Sequence, residues 1–80
     1  MSRFIHYHTA GCHLCEEAEA LVLACLDARG IGHDCLEQAD IADDAEMLER
    51  YGIIIPVLRD QTSGRELCWP FGMAEIQGIL

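Results

Sequence analysis

Two cysteines, Cys12 and Cys15, lie between a β-rich segment and a strongly helical one. Residues 3–9 are rich in β-forming side chains and end in a turn. After the cysteines, apolar residues recur at helical spacing for three turns until Gly30 ends the helix. These apolar residues are Leu14, Ala18, Leu21, Val22, Cys25 and Leu26. The pattern predicts that both cysteines lie at the junction between a strand and a helix.

The remaining sequence predicts five short elements. The first two are a strand within 33–41 and a helix that is capped by Asp43 or Asp44 and ended by Gly52. A buried strand follows at 53–58, and Pro56 begins or interrupts it. The last two are a hairpin strand at 65–69 and a helix at 73–80. The order β-α-β-α-β-β-α begins with a βαβ unit, which implies two parallel strands joined by a right-handed crossover. We therefore expect a single α/β domain over residues 1–80.

Composition argues against several classes of partner. Fourteen acidic side chains are set against five arginines and no lysine, which gives a net charge of −9. Such a surface repels nucleic-acid phosphates and anionic lipid head groups. No stretch approaches the ~18–20 apolar residues needed to span a bilayer, and the N-terminal residues lack the apolar core of a signal peptide. We expect a cytoplasmic monomer that binds neither nucleic acid nor membranes.

The position of the two cysteines predicts different chemical roles for them. Cys12 precedes the helix, where free N–H groups and the positive end of the helix dipole favour a thiolate. Cys15 lies one turn inside the helix and is expected to be less exposed. We therefore predict a redox dithiol in which Cys12 is the nucleophile and Cys15 resolves the mixed disulfide. A protonated His13 would stabilise the thiolate, whereas Glu16 and Glu17 place negative charge beside it.

A metal site is an alternative interpretation of the same cysteines. One Cys-x-x-Cys pair supplies half of a tetrahedral zinc site, and histidines would have to supply the other half. The candidates are His6, His8, His13 and His33. His6 and His8 share one face of the first strand because side chains alternate along a strand. The sequence contains no second Cys-x-x-Cys motif, so the redox interpretation is preferred and no metal is expected.

Three further cysteines lie outside the motif, at Cys25, Cys35 and Cys68. They occupy apolar positions of the first helix and of two predicted strands. A cytoplasmic protein normally keeps its thiols reduced, and an odd number of cysteines argues against a disulfide framework. We expect all three to be buried and to behave as small hydrophobic side chains.

Four segments of the sequence, taken together, indicate a protein family. They are Tyr7-His8-Thr9-Ala10-Gly11-Cys12-His13-Leu14-Cys15-Glu16, Asp40-Ile41, Tyr51-Gly52-Ile53-Ile54-Ile55-Pro56-Val57-Leu58 and Glu66-Leu67-Cys68-Trp69-Pro70-Phe71. Together they resemble the short bacterial glutaredoxin-like proteins of the thioredoxin-fold superfamily, and the resemblance runs from about residue 3 to residue 80. A Cys-x-x-Cys motif followed by a distant Ile-Pro-Val is more specific than either motif alone.

The resemblance implies a thioredoxin fold with a four-stranded mixed sheet. The first and last helices would lie on one face of the sheet and the middle helix on the other. The resemblance also implies that Pro56 is cis and faces the cysteines, and that Ile55 offers its backbone to an extended substrate segment. We therefore assign substrate contacts to Ile55 and Pro56, and to His13 and Leu14, which lie between the two cysteines.

Two departures from the glutaredoxin pattern bear on glutathione. Glutaredoxins commonly carry a basic residue three positions before the first cysteine, and this chain has Thr9 there. Their Gly-Gly-x-Asp after the last strand is replaced by Trp69-Pro70-Phe71-Gly72. Glutathione is an anion, so its charge also matches this acidic chain poorly. We expect a protein or small-molecule disulfide as the substrate, no resident cofactor and inefficient use of glutathione.

A non-catalytic interaction module with the same fold is the second alternative. It would present Ile55, Trp69 and the acidic stretch 40–49 to a partner, and the cysteines would be secondary. Charged runs of this kind are more often the solvated face of a helix than a docking site. A Cys12→Ser variant separates the two functions, because only the redox function requires the thiol.

Overall fold

The computed structural model describes residues 2–80, so Met1, the first residue of the expected domain, lies outside the described part. The elements are β1 (Phe4–His8), α1 (His13–Ala28), β2 (Leu36–Asp40), α2 (Ala45–Tyr51), β3 (Val57–Asp60), β4 (Glu66–Cys68) and α3 (Met73–Ile79). Short 3-10 turns at His33–Cys35 and Ile41–Asp43 flank β2. The predicted order β-α-β-α-β-β-α is confirmed.

The four strands form one mixed sheet in the order β2-β1-β3-β4. Strands β1 and β2 are parallel, with Phe4 opposite Leu36, as the βαβ unit predicts. Strand β1 is antiparallel to β3, and β3 is antiparallel to β4 through the hairpin turn. The predicted α/β class and four-stranded mixed sheet are therefore confirmed.

The hydrophobic core lies on both faces of the sheet. On one face Phe4 and Leu58 pack against side chains of α1 and α3; these are Ala18, Val22, Cys25, Leu26, Ile76 and Ile79. On the other face Tyr7 and Val57 pack against Ile41 and Tyr51, the last residue of α2. Successive side chains of β1 thus serve opposite faces of the sheet. The helices are distributed as the thioredoxin fold implies.

Helix α1 is bounded by two glycines that adopt positive φ angles. Gly11, at φ 74°, turns the chain from β1 toward the helix, and Gly30, at φ 69°, follows its last turn. Side chains with a Cβ rarely adopt this conformation, so glycine is favoured at both positions. The N–H of Ile31 bonds to the carbonyl of Leu26 at 2.9 Å, which closes the helix end. No helix within residues 2–80 is long and apolar enough to cross a membrane.

The expected strand at 53–58 was wrong in its first half. Residues Ile53 to Ile55 continue the end of α2 as a turn, because the N–H groups of Ile54 and Ile55 both donate to the carbonyl of Tyr51, at 3.0 and 3.1 Å. Ile53 is 98% exposed instead of buried. Strand β3 begins only at Val57, directly after Pro56. Pro56 lacks an N–H group for a ladder, which fits its place just before the strand.

The three cysteines outside the motif differ in their burial. Cys25 is buried in α1 as expected, whereas Cys35 is only half-buried and lies in the 3-10 turn before β2, not in the strand. Cys68 is exposed, so the expectation that it is buried was wrong. Within residues 2–80, β4 pairs only with β3 and forms an edge of the sheet. An edge strand of three residues offers less cover for its side chains than a central strand does.

Candidate active site

The motif cysteines are joined by a disulfide, with their Cα atoms 5.2 Å apart. This separation lies within the range that a disulfide requires. Cys12 is the N-cap of α1, and its Sγ atom accepts a hydrogen bond from the backbone N–H of Cys15 at 3.1 Å. Cys15, in the first turn of the helix, is only 3% exposed, whereas Cys12 is partly exposed. Solvent therefore has better access to Cys12 than to Cys15.

The charges around the motif lie mostly in solvent. The Nδ1 atom of His13 is 3.8 Å from Glu16 Oε2, and these side chains are 89% and 78% exposed. An ion pair in such a setting is weak because water screens it. The exposed Glu17 adds a second negative charge on the same turn. The N-terminus of α1 adds positive potential at the Cys12 sulfur.

A second segment reaches the motif from the other half of the chain. The Ile55–Pro56 peptide bond is cis, and Pro56 is buried. Pro56 precedes Val57, which pairs with Tyr7 near the end of β1. The loop from β1 to Cys12 starts at this same end of the sheet. The register therefore brings the cysteine motif and the Ile55–Pro56 segment to one end of the sheet.

The backbone around Pro56 is already partly engaged. The N–H of Ile55 donates to the carbonyl of Tyr51, and the carbonyl of Pro56 accepts from the N–H of Trp69 at 3.1 Å. Ile55 itself is half-buried, whereas Leu14, in the motif, is 45% exposed. The N–H of Ile55 is thus occupied within the protein, whereas its carbonyl accepts none of the turn and loop hydrogen bonds found within residues 2–80.

A buried histidine lies on the α1-facing side of β1. His6 is only 1% exposed, and its Nδ1 atom lies 2.7 Å from Gln38 Oε1 on β2. Its Nε2 atom is buried and has no hydrogen-bond partner within residues 2–80. Burial lowers the pKa of His6, while the bond to Gln38 opposes that effect. His6 stacks on His8 with ring centroids 5.3 Å apart, which confirms that the two share a face.

His6 was named from the sequence as a possible metal ligand. Its burial was not predicted, although one signal was present. His6 alternates with Phe4, and that residue proved to be part of the core. Because side chains alternate along a strand, His6 and Phe4 lie on the same face of β1, which is the face that packs against α1.

The histidines do not assemble a metal centre. His33 Nε2 lies 2.7 Å from Asp27 Oδ1 at the far end of α1, and His13 lies beside Glu16. Within residues 2–80, no group of three or more histidine, cysteine, aspartate or glutamate side chains is arranged to hold a metal ion.

Comparison with known proteins assigns the family. A family model described as "Glutaredoxin-like domain (DUF836)" matches residues 4–80. The chain belongs to this family. The resemblance read from the sequence is therefore confirmed for this glutaredoxin-like domain. None of the curated proteins compared with it matches.

Solved structures support the same fold. The crystal structure of Northeast Structural Genomics target protein XcR50 from X. campestris is 35% identical to the glutaredoxin-like domain, with a TM-score of 0.72; the match covers 94% of this chain and 91% of that chain. The solution structure of XcR50 is 37% identical, with a TM-score of 0.74, covering 98% and 90%. Thioredoxin 1 from the thermophilic eubacterium Thermosipho africanus TCF52B is 10% identical, with a TM-score of 0.66, covering 95% and 86%. This last likeness concerns the fold alone.

The glutaredoxin-like domain thus gathers the expected site residues from two regions. Cys12, His13, Leu14 and Cys15 lie at the start of α1, and the Ile55–Pro56 segment approaches from the start of β3. The arrangement offers one partly exposed sulfur, one buried sulfur and an exposed apolar side chain between them. Such a site can exchange disulfides, because a second thiol stands next to the first.

Proposed function

We propose that this protein is a thiol–disulfide oxidoreductase. The observation that carries the proposal is the unequal setting of the two sulfurs. Cys12 is partly exposed at the N-cap of α1 and accepts the N–H of Cys15, whereas Cys15 is buried. A hydrogen bond and a helix N-terminus both favour the thiolate form of Cys12. Cys12 is therefore the attacking thiol and Cys15 the resolving thiol.

The proposed reaction has two thiol–disulfide exchanges. In the first, the Cys12 thiolate attacks one sulfur of the substrate disulfide, forms a mixed disulfide and releases the other substrate sulfur as a thiolate. In the second, the Cys15 thiolate attacks Cys12 Sγ, forms the Cys12–Cys15 disulfide and releases the remaining substrate thiolate. The substrate gains two electrons and the protein loses two. A thiol reductant must then supply two electrons to restore the reduced protein.

We propose that the substrate is a protein or small-molecule disulfide and that glutathione is a poor one. The net charge of −9 repels an anionic tripeptide, and Thr9 supplies no positive charge beside the motif. At the start of α3, the Glu75 carboxylate accepts the N–H of Gly72 at 3.1 Å, which adds negative charge where a helix N-terminus would otherwise favour an anion. We also propose a cytoplasmic location, because a reducing compartment keeps the two cysteines as the thiols from which the reaction starts.

Substrate contact is proposed on both sides of the reactive sulfur. Leu14 offers an exposed apolar side chain, and the carbonyl of Ile55 is available to accept a hydrogen bond from an extended substrate segment. Pro56 and His13 flank these groups. The same contacts suit a chain segment better than a compact charged ligand, because one apolar side chain and one backbone acceptor recognise extended polypeptide.

The test is the alkylation rate of Cys12 as a function of pH, in the reduced protein carrying Cys35→Ser and Cys68→Ser. These substitutions remove the more accessible thiols, whereas Cys25 is buried and burial raises its pKa. We expect the midpoint for Cys12 to lie below the value of about 8.5 for a free thiol. Cys12→Ser should abolish disulfide reduction, and Cys15→Ser should trap a mixed disulfide. A Cys12 that alkylates like an ordinary thiol would contradict the proposal.

A partner-binding role without turnover is the second candidate, and one observation favours it. Three apolar side chains in and after α2 are exposed: Leu48 by 49%, Ile53 by 98% and Ile54 by 37%. Neighbouring exposed apolar residues mark interaction surfaces more often than isolated ones do. In this case the biological role would survive Cys12→Ser and be lost in Ile53→Asp. Loss of the role in Cys12→Ser alone would exclude it.

A further inference from the structure

The contact with Gln38 favours one tautomer of the His6 ring. Gln38 presents its carbonyl oxygen, Oε1, to Nδ1 at 2.7 Å, and an oxygen of this kind only accepts hydrogen bonds. Nδ1 therefore carries the proton, and Nε2 is an unprotonated nitrogen with a free lone pair. That atom is buried and has no donor within residues 2–80. An unpaired buried acceptor is costly, so its presence calls for an explanation.

The fold places this nitrogen beneath the first turns of α1. His6 shares a face of β1 with Phe4, and Phe4 packs against Ala18 and Val22 of α1. Cys15 precedes Ala18 by three residues and lies on the same buried stripe of that helix. The chain leaves β1 two residues after His6 and returns along α1. Glu19, four residues after Cys15 in α1, acts on the pKa of His6 through its charge, which sets the first turns of the helix on the side of His6.

One candidate donor for this nitrogen is the thiol of Cys15 in the reduced protein. Cys15 is part of the disulfide and so carries no thiol proton. On reduction it gains an S–H group, a weak hydrogen-bond donor, on the buried face of α1. We infer that His6 is the internal base for the resolving step, and that its Nε2 atom takes the thiol proton of Cys15. This inference rests on the proposed function.

The step is balanced as follows. The proton of Cys15 moves to His6 Nε2, and the thiolate so formed attacks Cys12 Sγ of the mixed disulfide. The Cys12–Cys15 bond forms as the bond between Cys12 and the substrate sulfur breaks, and the substrate leaves as a thiolate. His6 is then a buried cation, which is unfavourable, so it returns its proton to water and becomes neutral again.

The groups that face His6 are few. On β1 the neighbour is His8, which stacks on the ring, and on α1 it is Glu19, whose negative charge raises the pKa of His6. On β2 the neighbour is the uncharged Gln38, and on β3 His6 is paired with the apolar Leu58. The dominant influence on the pKa of His6 is burial, which lowers it. His6 is consequently neutral near neutral pH, which leaves a lone pair on Nε2.

The test separates the two exchanges in one experiment. Reduced protein carrying Cys35→Ser and Cys68→Ser is mixed in a stopped-flow instrument with an equimolar amount of dithiodipyridine, a neutral aromatic disulfide. One thiopyridone is released when Cys12 attacks and a second when Cys15 resolves. In His6→Gln, whose amide still donates to Gln38 but is not a base, we expect an unchanged first release. The second release should slow by about 10²-fold near neutral pH.

The pH profile and a matched variant complete the design. In the wild type the second release should slow as the pH falls and His6 is protonated, whereas in His6→Gln it should follow the ionisation of the Cys15 thiol itself and recover only at alkaline pH. His8→Gln, on the same face and in the same stack, should leave both releases close to wild type. A second release that is unaltered by His6→Gln overturns the inference. A first release no faster than that of a free thiol overturns the proposed function instead.

A measurement on the wild type covers the case in which His6→Gln does not fold. The imidazole nitrogens of His6 and His8 are followed by nuclear magnetic resonance in the oxidised and the reduced protein. We expect the Nε2 resonance of His6 to shift on reduction as it gains the thiol donor, and His8 to change little. The shift should be absent in reduced Cys15→Ala. A His6 resonance indifferent to reduction overturns the inference.

Discussion

The hydroxyl of Tyr51 links α2 to the hairpin formed by β3 and β4. It donates to Glu66 Oε2 at 2.6 Å, and the Arg59 guanidinium donates to the same oxygen at 2.9 Å. The Tyr51 ring also stacks on Tyr7, with centroids 4.5 Å apart. Burial, reinforced by the bond to Glu66, raises the pKa of Tyr51 to about 12. The phenol is therefore a neutral donor at any physiological pH, and the residue anchors the segment that leads to Ile55.

Removing this hydroxyl should destabilise the protein. We expect Tyr51→Phe to lower the free energy of unfolding by about 1–2 kcal/mol, because a hydrogen bond to a partly buried charge is lost. Urea unfolding of both proteins measures the difference. The control is Tyr7→Phe, which removes a hydroxyl from the other ring of the stack and leaves both donors to Glu66 in place. An equal loss in the two variants would show that the bond to Glu66 contributes nothing.

The sequence predicts the exposure of some residues, but it does not predict the hydrogen-bond partners of others. The unequal exposure of Cys12 and Cys15 was predicted, because the position of a residue relative to a helix start determines it locally. The pairing of His6 with Gln38 and of Tyr51 with Glu66 was not predicted. Both pairs join different elements, so they depend on strand order and register, which the sequence pattern does not specify.

Among the elements, α2 is short and depends on its cap. Asp44 is the N-cap residue, and its Oδ1 atom accepts from the N–H groups of Glu46 and Met47 at 2.9 and 3.3 Å. These groups have no partner within the helix. With only seven residues, α2 has few internal hydrogen bonds to compensate for an open end. The cap thus helps to fix the helix that precedes the Ile55–Pro56 segment.

The adjacent aspartate provides a matched test of this cap. We expect Asp44→Ala to lower the free energy of unfolding by about 1 kcal/mol and Asp43→Ala to change it little. Both variants remove one negative charge from the same region, so the difference between them reports the hydrogen bonds of the cap. Thermal and urea unfolding of the two variants supply the measurement. If Asp43→Ala lowered the free energy of unfolding as much as Asp44→Ala does, the loss of charge and not the loss of the cap would explain the effect.

The boundaries of some helices and strands follow from nearby residues in the sequence, whereas others do not. The limits of α1 follow from Cys12 and Gly30, since a cap and a positive-φ glycine act within a few residues. The β-branched run at 53–55 instead favours a strand, yet it forms a turn. There the chain must pass from the face that holds α2 back into the sheet, and this long-range requirement overrides the local preference.

At the scale of the whole molecule, the charge is the dominant surface property. The net charge of −9 is carried with only five cationic side chains, all of them arginines. A field of this sign slows the approach of anions and speeds that of cations, and salt reduces both effects. The glutaredoxin-like family assignment does not by itself reveal this preference, which comes from the composition of this chain.

The charge predicts which small disulfides the reduced protein attacks fastest. We expect cystamine, a dication, to oxidise the protein about tenfold faster than glutathione disulfide at low ionic strength. Each rate is first divided by the rate of the same disulfide with free mercaptoethanol, which removes intrinsic reactivity. The two normalised rates should converge as salt is added. Equal normalised rates at low salt would mean that surface charge does not guide the substrate.

The register of β1 against β3 also bears on how the site comes into being during synthesis. The cysteine motif belongs to the first strand–helix unit, whereas Ile55 and Pro56 are contributed by a segment that leaves the ribosome later. Until β3 pairs with β1, the nascent chain carries two neighbouring thiols without the Ile55–Pro56 segment beside them. Under the proposed function, correct pairing of the central strands is therefore the step that gives a reactive dithiol its substrate selectivity.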